Sequence, residues 1–174
     1  MSRLLLRSLS GLAPLILACT SCTPKPAPVS NYKMGDKAAV GHLAYTAFDT
    51  QWLTEIGEGV TARVPQYRFF LVRVSITNSG GSQAVTPNLS VVDDKGNSYE
   101  ELSDGQGVPQ WIGFLRQIAG SGTLQGNLLF DVPPQHYKLQ VSDAAGQPAA
   151  LIDLPLDFTT DPTPNLGIPP AGKM

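Results

Sequence analysis

The sequence predicts an all-β domain, an antiparallel sandwich, that follows a processing signal and an extended tether. Apolar and polar residues alternate with period two through several short runs. Clusters of Gly, Pro, Asn and Asp separate those runs, and no convincing amphipathic helix lies between them, which argues against an α/β enzyme.

The chain opens with Arg3 and Arg7 and then an apolar run from Leu9 to Ala18 that ends at Cys19. Such a run is too short to span a bilayer, which takes about 20 apolar residues. Leu15-Ile16-Leu17-Ala18-Cys19 resembles the lipobox of bacterial lipoproteins. That resemblance implies that residues 1–18 are a lipoprotein signal peptide and that Cys19 is acylated. Cys22, preceded by Thr20 and Ser21, is the alternative anchor, and a plain secretory signal cleaved near Ala18 is the other reading. One acyl chain holds a protein only marginally, whereas a diacylglyceryl thioether with an N-acyl group anchors it firmly. Residues 19–31 then read as a tether, because Pro24, Pro26 and Pro28 among small polar residues favour an extended spacer.

Loss of residues 1–18 takes away two of the 12 Lys and Arg and none of the 14 Asp and Glu, so the mature chain is mildly acidic. No basic cluster occurs, which excludes nucleic acid as an expected partner. Both cysteines lie at the processing site, so the folded domain, residues 32–158, holds neither disulfide nor thiol. Its stability must come from an ordinary core.

Within that domain Val40 to Phe48 is the first candidate strand, with Leu43 and Tyr45 on one face beside Gly41 and Ala47. From Phe69 to Asn78, Phe70, Val72, Val74 and Ile76 face one way and Arg73, Ser75 and Thr77 the other, until Asn78-Ser79-Gly80-Gly81-Ser82 turns the chain. Leu89 to Asp93 and Ser98 to Glu101 form a hairpin about Asp94-Lys95-Gly96-Asn97. Gly126 to Val132 places Leu128, Phe130 and Val132 inward, and Pro133-Pro134 ends it. Tyr137, Leu139 and Val141 repeat the rule, and Ile152, Leu154, Leu156 and Phe158 close the set. Ile112 to Ile118 is the one helical candidate, a turn or two at most. Residues 159–174, with Pro162, Pro164, Pro169 and Pro170, read as a disordered tail.

The order of Lys33-Met34-Gly35-Asp36, the Phe69 to Asn78 run, Leu89 to Tyr99, Gly126 to Pro133 and Tyr137-Lys138-Leu139 resembles a known family. It is the telokin-like, immunoglobulin-fold domain of unknown function found in bacterial lipoproteins and secreted proteins. The resemblance implies an immunoglobulin-like sandwich and an extracytoplasmic setting. It implies no activity, because the matching residues are core and turn residues.

Catalytic chemistry finds little support. His42 sits in a strand pattern and His136 in a turn, with no Gly-x-Ser-x-Gly elbow, so no triad is expected. Two distant histidines do not make a zinc site, and Asp93, Asp94 and Asn97 read as a hairpin turn rather than a calcium loop. Glu100, Glu101 and Asp104 could suggest a glycosidase pair, but adjacent strand residues face apart. Gly105-Gln106-Gly107 and Gly120-Ser121-Gly122 lack phosphate-binding spacing and read as flexible loop. The chain is therefore expected not to be an enzyme and to need no cofactor or metal.

Two long connections remain, Thr50 to Gln66 and Ser103 to Leu124, carrying Trp52 and Trp111, with Phe114 and Leu115 nearby. A loop Trp either anchors a partner or folds back to cap the sandwich. The leading expectation is a cell-envelope binding or adaptor module, held to a membrane by lipid on Cys19 and touching an envelope protein through Trp52, Trp111 and Phe114. A scaffolding lipoprotein is the alternative, and an envelope hydrolase a distant third.

Overall fold

A computed structural model describes residues 29–143 and 146–156; residues 1–18, expected as a signal peptide, most of the expected tether, Phe158 and residues 159–174, expected as a tail, lie outside the described residues. The described strands are β1 (Ser30–Lys33), β2 (Ala38–Val40), β3 (Leu43–Leu53), β4 (Phe69–Asn78), β5 (Ala84–Thr86), β6 (Ser90–Asp93), β7 (Ser98–Glu100), β8 (Arg116–Ile118), β9 (Thr123–Asp131), β10 (Tyr137–Ser142) and β11 (Pro148–Leu154). One sheet runs β1-β11-β10-β6-β7 and the other β2-β3-β4-β9, with β5-β8 a separate two-stranded ladder. The pairing is antiparallel except that β1 lies parallel to β11, Ser30 beside Ala150 and Lys33 beside Asp153. Ser30 and Asn31, expected to end the tether, thus already belong to the sandwich.

The inward sets meet as the alternation requires. Phe70, Val72, Val74 and Ile76 of β4 and Leu128 and Phe130 of β9 are buried against Val91, Leu139, Val141 and Ile152 of the facing sheet. Two contacts fix how the sheets are aligned. The Tyr45 hydroxyl donates to the Ser142 carbonyl at 2.9 Å, and the Trp52 ring lies 6.2 Å from that of Tyr137. The sandwich therefore has a near end, where the chain enters at Ser30 beside Ala150, and a far end, where residues 54–68 and the Asp131 to Pro134 turn lie.

Three sequence expectations change. Val40 to Phe48 is not one strand: Gly41, at φ 61°, turns β2 into β3, and β3 continues to Leu53. The continuation passes a bulge at Phe48, where Ala47 pairs with Val74 and Asp49 with Arg73. An extra residue reverses the parity of the strand, so the inward set passes from Leu43, Tyr45 and Ala47 to Thr50 and Trp52. The segment Ile112 to Ile118 is not helical and ends as β8. β11 stops at Leu154, leaving Leu156 exposed.

Arg116 of β8 forms a fully buried ion pair with Glu101, just after β7. Its Nε donates to the Gly113 carbonyl at 2.7 Å, and Glu101 Oε1 accepts the Leu89 N–H at 2.7 Å. Burial pushes the Glu101 carboxyl up, opposed by the adjacent guanidinium. Removal of one partner strands the other charge in the interior. Arg116→Met is expected to destabilise by about 3–5 kcal/mol in urea unfolding, and Arg116→Met with Glu101→Met by clearly less. Equal losses would show that the pair is not what the fold rests on here.

Candidate functional site

The two long connections come together around a second, smaller core on the outer face of the β2-β3-β4-β9 sheet. Phe69 and Leu71 alternate with the main-core residues of β4 and, with Leu129, meet Ile56 and Val108 from the connections. Leu53, Leu102 and Trp111 pack around them.

Residues 101–115 run along the otherwise open edge of β9. Leu102 donates to the Leu129 carbonyl at 2.7 Å, Asn127 to that of Gln110 at 2.9 Å, and Ile112 to that of Asn127 at 3.3 Å. An exposed edge is a template for unwanted pairing, and this segment occupies it. Its glycines serve close approach: a Cβ on Gly105 would collide with the Trp111 ring, and one on Gly126 with the Gln110 carbonyl. Gly105, Gly107 and Gly120, expected in flexible loops, are packed or turn positions instead, Gly120 lying against the Gly81 backbone and Gly107 at φ 82°.

Residues 54–68 form a small hairpin at the far end. Ile56 and Arg63 exchange backbone hydrogen bonds at 3.0 and 2.8 Å, and Gly57 and Gly59, both at positive φ, allow the reversal between them. The Arg63 guanidinium donates to the carbonyls of Gln106 and Asp104, at 2.8 and 3.1 Å, and lies over the Phe69 ring. The Asp131 carboxylate accepts the N–H groups of Gln66 and Tyr67 at 2.6 and 2.8 Å. Held in this way, the segment leaves Val60 fully exposed, Val64 77% exposed and Tyr67 56% exposed.

The aromatic residues singled out in the sequence behave differently. Trp52 is a strand residue, half-buried and stacked on Phe70 at 4.2 Å. Trp111 belongs to the second core. Phe114 is half-buried, and its neighbour Leu115 is 84% exposed. Cys19 lies outside the described residues. Sequence reasoning missed Val60, Val64 and Tyr67, although an apolar residue directly after two closely spaced glycines, as in Gly57-Glu58-Gly59-Val60, was the available signal.

The ionisable groups serve the frame. Asp93 Oδ1 accepts the N–H groups of Lys95 and Asn97 at 2.9 and 2.8 Å, the hairpin expected there, and the Asn97 side chain above all holds its carboxyl below the usual range. His136 bridges Asp94, at 3.0 Å from Nδ1, and Asp153, at 2.9 Å from Nε2. Because the two carboxylates meet opposite ring nitrogens, they cannot converge with the imidazole on one metal ion. No group of three or more His, Cys, Asp or Glu placed for a metal occurs among the described residues. Glu100 is exposed and Glu101 buried, so they do not converge either. Among the open depressions are a cleft of about 490 Å³ at the near end between Leu43, Asn78 and Val85, and a groove of about 400 Å³ beside Lys33, Lys138 and Asp153.

A sandwich with long clasped connections and core-and-turn signature residues defines the class, an immunoglobulin-like domain. The chain belongs to the DUF4352 family, a domain of unknown function, which matches residues 32–149. No curated protein matches it. Among solved structures it is similar to yjhA of Bacillus subtilis, at 16% identity and a TM-score of 0.54 over 71% of this chain and 99% of that one. It is also similar to MPT63, a secreted protein of Mycobacterium tuberculosis, at 16% identity and a TM-score of 0.56 over 74% and 99%. A third is ycdA, a candidate lipoprotein of Bacillus subtilis, at 13% identity and a TM-score of 0.50 over 69% of this chain and 38% of that one. At these identities the likeness is one of fold.

Truncation of Trp111 opens a cavity in the second core, so Trp111→Ala is expected to cost about 3 kcal/mol or more, read as a lower midpoint in urea. An unchanged midpoint would return Trp111 to the surface. His136 gives a pH dependence. The Asp94 hydrogen bond above all raises its pKa over the ordinary value of about 6.5. Its contribution is thus fully present below that value and is lost as pH rises through the folded pKa. Tm is expected to fall as pH rises above about 6.5, and His136→Gln to flatten that slope.

Proposed function

We propose that this protein is a lipid-anchored, extracytoplasmic binding or adaptor module without enzymatic activity, its contact surface at the far end of the sandwich. One observation carries the reading: the hairpin at residues 54–68 is tied down on both sides yet presents fully exposed aliphatic surface. Apolar side chains held outward on a segment tied down in this way suit recognition, because a preformed surface loses little conformational freedom on docking. The family resemblance to secreted and lipid-anchored proteins, with a secreted protein and a candidate lipoprotein among the similar folds, supports the compartment. Cys19 supplies the anchor in this reading, and the chain enters the sandwich opposite the exposed hairpin.

The inward packing of Trp52 and Trp111 favours a second reading, a scaffold lipoprotein without a saturable ligand. Anchoring is tested by fatty-acid labelling in a bacterial host. Cys19→Ser is expected to abolish the label and to move the protein from membranes to the soluble fraction. Labelling that survives Cys19→Ser but not Cys22→Ser would shift the anchor to Cys22, and an unlabelled parent would overturn the anchored reading.

A further inference from the structure

We infer that the hairpin at residues 54–68 is an insertion tip, whose Val60 and Val64 enter an apolar pocket on a protein partner rimmed with basic side chains. The inference deepens the binding-module reading and rests on it.

Geometry supplies the first argument. Six residues, 57–62, reach beyond the Ile56 to Arg63 backbone pair, Val64 follows directly after that pair, and the base is buried: Ile56 sits in the second core. Three separate ties, from Arg63 to the carbonyls at 104 and 106, from Asp131 to the N–H groups at 66 and 67, and from Ile56 to Arg63, fix the segment before any partner arrives. A preformed tip loses little conformational freedom on docking, which is how a small apolar contact yields measurable affinity.

Charge selects the partner. Glu55 and Glu58 precede the valines in the same hairpin and are exposed, with no ion pair among the described residues. Of the two cations of the hairpin, Arg63 is already engaged by Asp104 at 3.7 Å and by the two carbonyls, and Arg68 is half-buried where the hairpin joins β4. The hairpin thus offers exposed aliphatic side chains together with two exposed carboxylates that make no ion pair among the described residues. That combination suits a pocket with Lys or Arg at its mouth and disfavours an anionic lipid surface. Position agrees, because the tip stands at the end away from Ser30, where the tether enters, so a protein anchored through that tether presents the tip away from its own membrane.

The test uses the full-length protein in its bacterial host, with the photocrosslinking residue p-benzoylphenylalanine placed singly at Val60, Leu115 or Val85, all exposed. A discrete protein adduct is expected from Val60 and not from the other two. The adduct is identified by mass spectrometry, and the purified partner is titrated with the purified protein. Val60→Ser with Val64→Ser should weaken binding roughly thirtyfold, as loss of a hot spot does, with Tm unchanged. Glu55→Lys with Glu58→Lys should weaken it further at low salt than at high salt. Adducts to lipid or to a second copy of the chain overturn the inference, as does a partner whose affinity both double variants leave intact. Adducts from Leu115 or Val85 alone overturn the tip while the binding-module reading survives. No adduct from any position overturns both.

Discussion

Much of this molecule depends on one buried ion pair, Glu101 with Arg116. Both side chains are wholly shielded from water, and both are also committed to backbone groups, Glu101 to the Leu89 N–H and Arg116 to the Gly113 carbonyl. The two residues stand at the start and finish of the long connection between β7 and β8. Their attraction closes that connection into a clasp, and the low dielectric around them makes an incomplete clasp costly. Inside it, Trp111 settles over Gly105 and residues 102–112 take up the free edge of β9.

The clasp in turn builds the surface beyond it. Val108 and Trp111 provide the wall against which Ile56 packs, and the carbonyls of Asp104 and Gln106 hold the Arg63 guanidinium. A hairpin that would otherwise be a loose connection is thereby seated on the sandwich. The main core sets where it sits: the pairing of Tyr45 with Ser142 and of Trp52 with Tyr137 aligns the sheets, so that the hairpin and the incoming chain fall at opposite ends. The exposed valines follow from a base that is buried and a tip that is not.

The strongest alternations were legible because burial on one face imposes period two. β4, the Asp93 to Asn97 hairpin, β9 and β10 all follow from it. β3 was legible only as far as Phe48, since the bulge there reverses parity and makes Thr50 and Trp52 read as loop. Short β5 and β8 escaped for another reason: three residues carry too little pattern, and Arg116 is a charged residue at a core position.

By itself the sequence determined the fold class, the family and the signal-like start of the chain, because these rest on local patterns that a single strand or an apolar run displays. Only the tertiary structure decided which side chains of the long connections turn inward and which stay in water. Trp52 and Trp111 resemble contact residues in sequence and pack against Phe70 and the second core, whereas Val60 and Val64 look unremarkable and stand bare. Burial in an irregular segment has no period. It is set by partners distant in the chain, here Glu101 with Arg116, Arg63 with the carbonyls at 104 and 106, and Asp131 with the amides at 66 and 67.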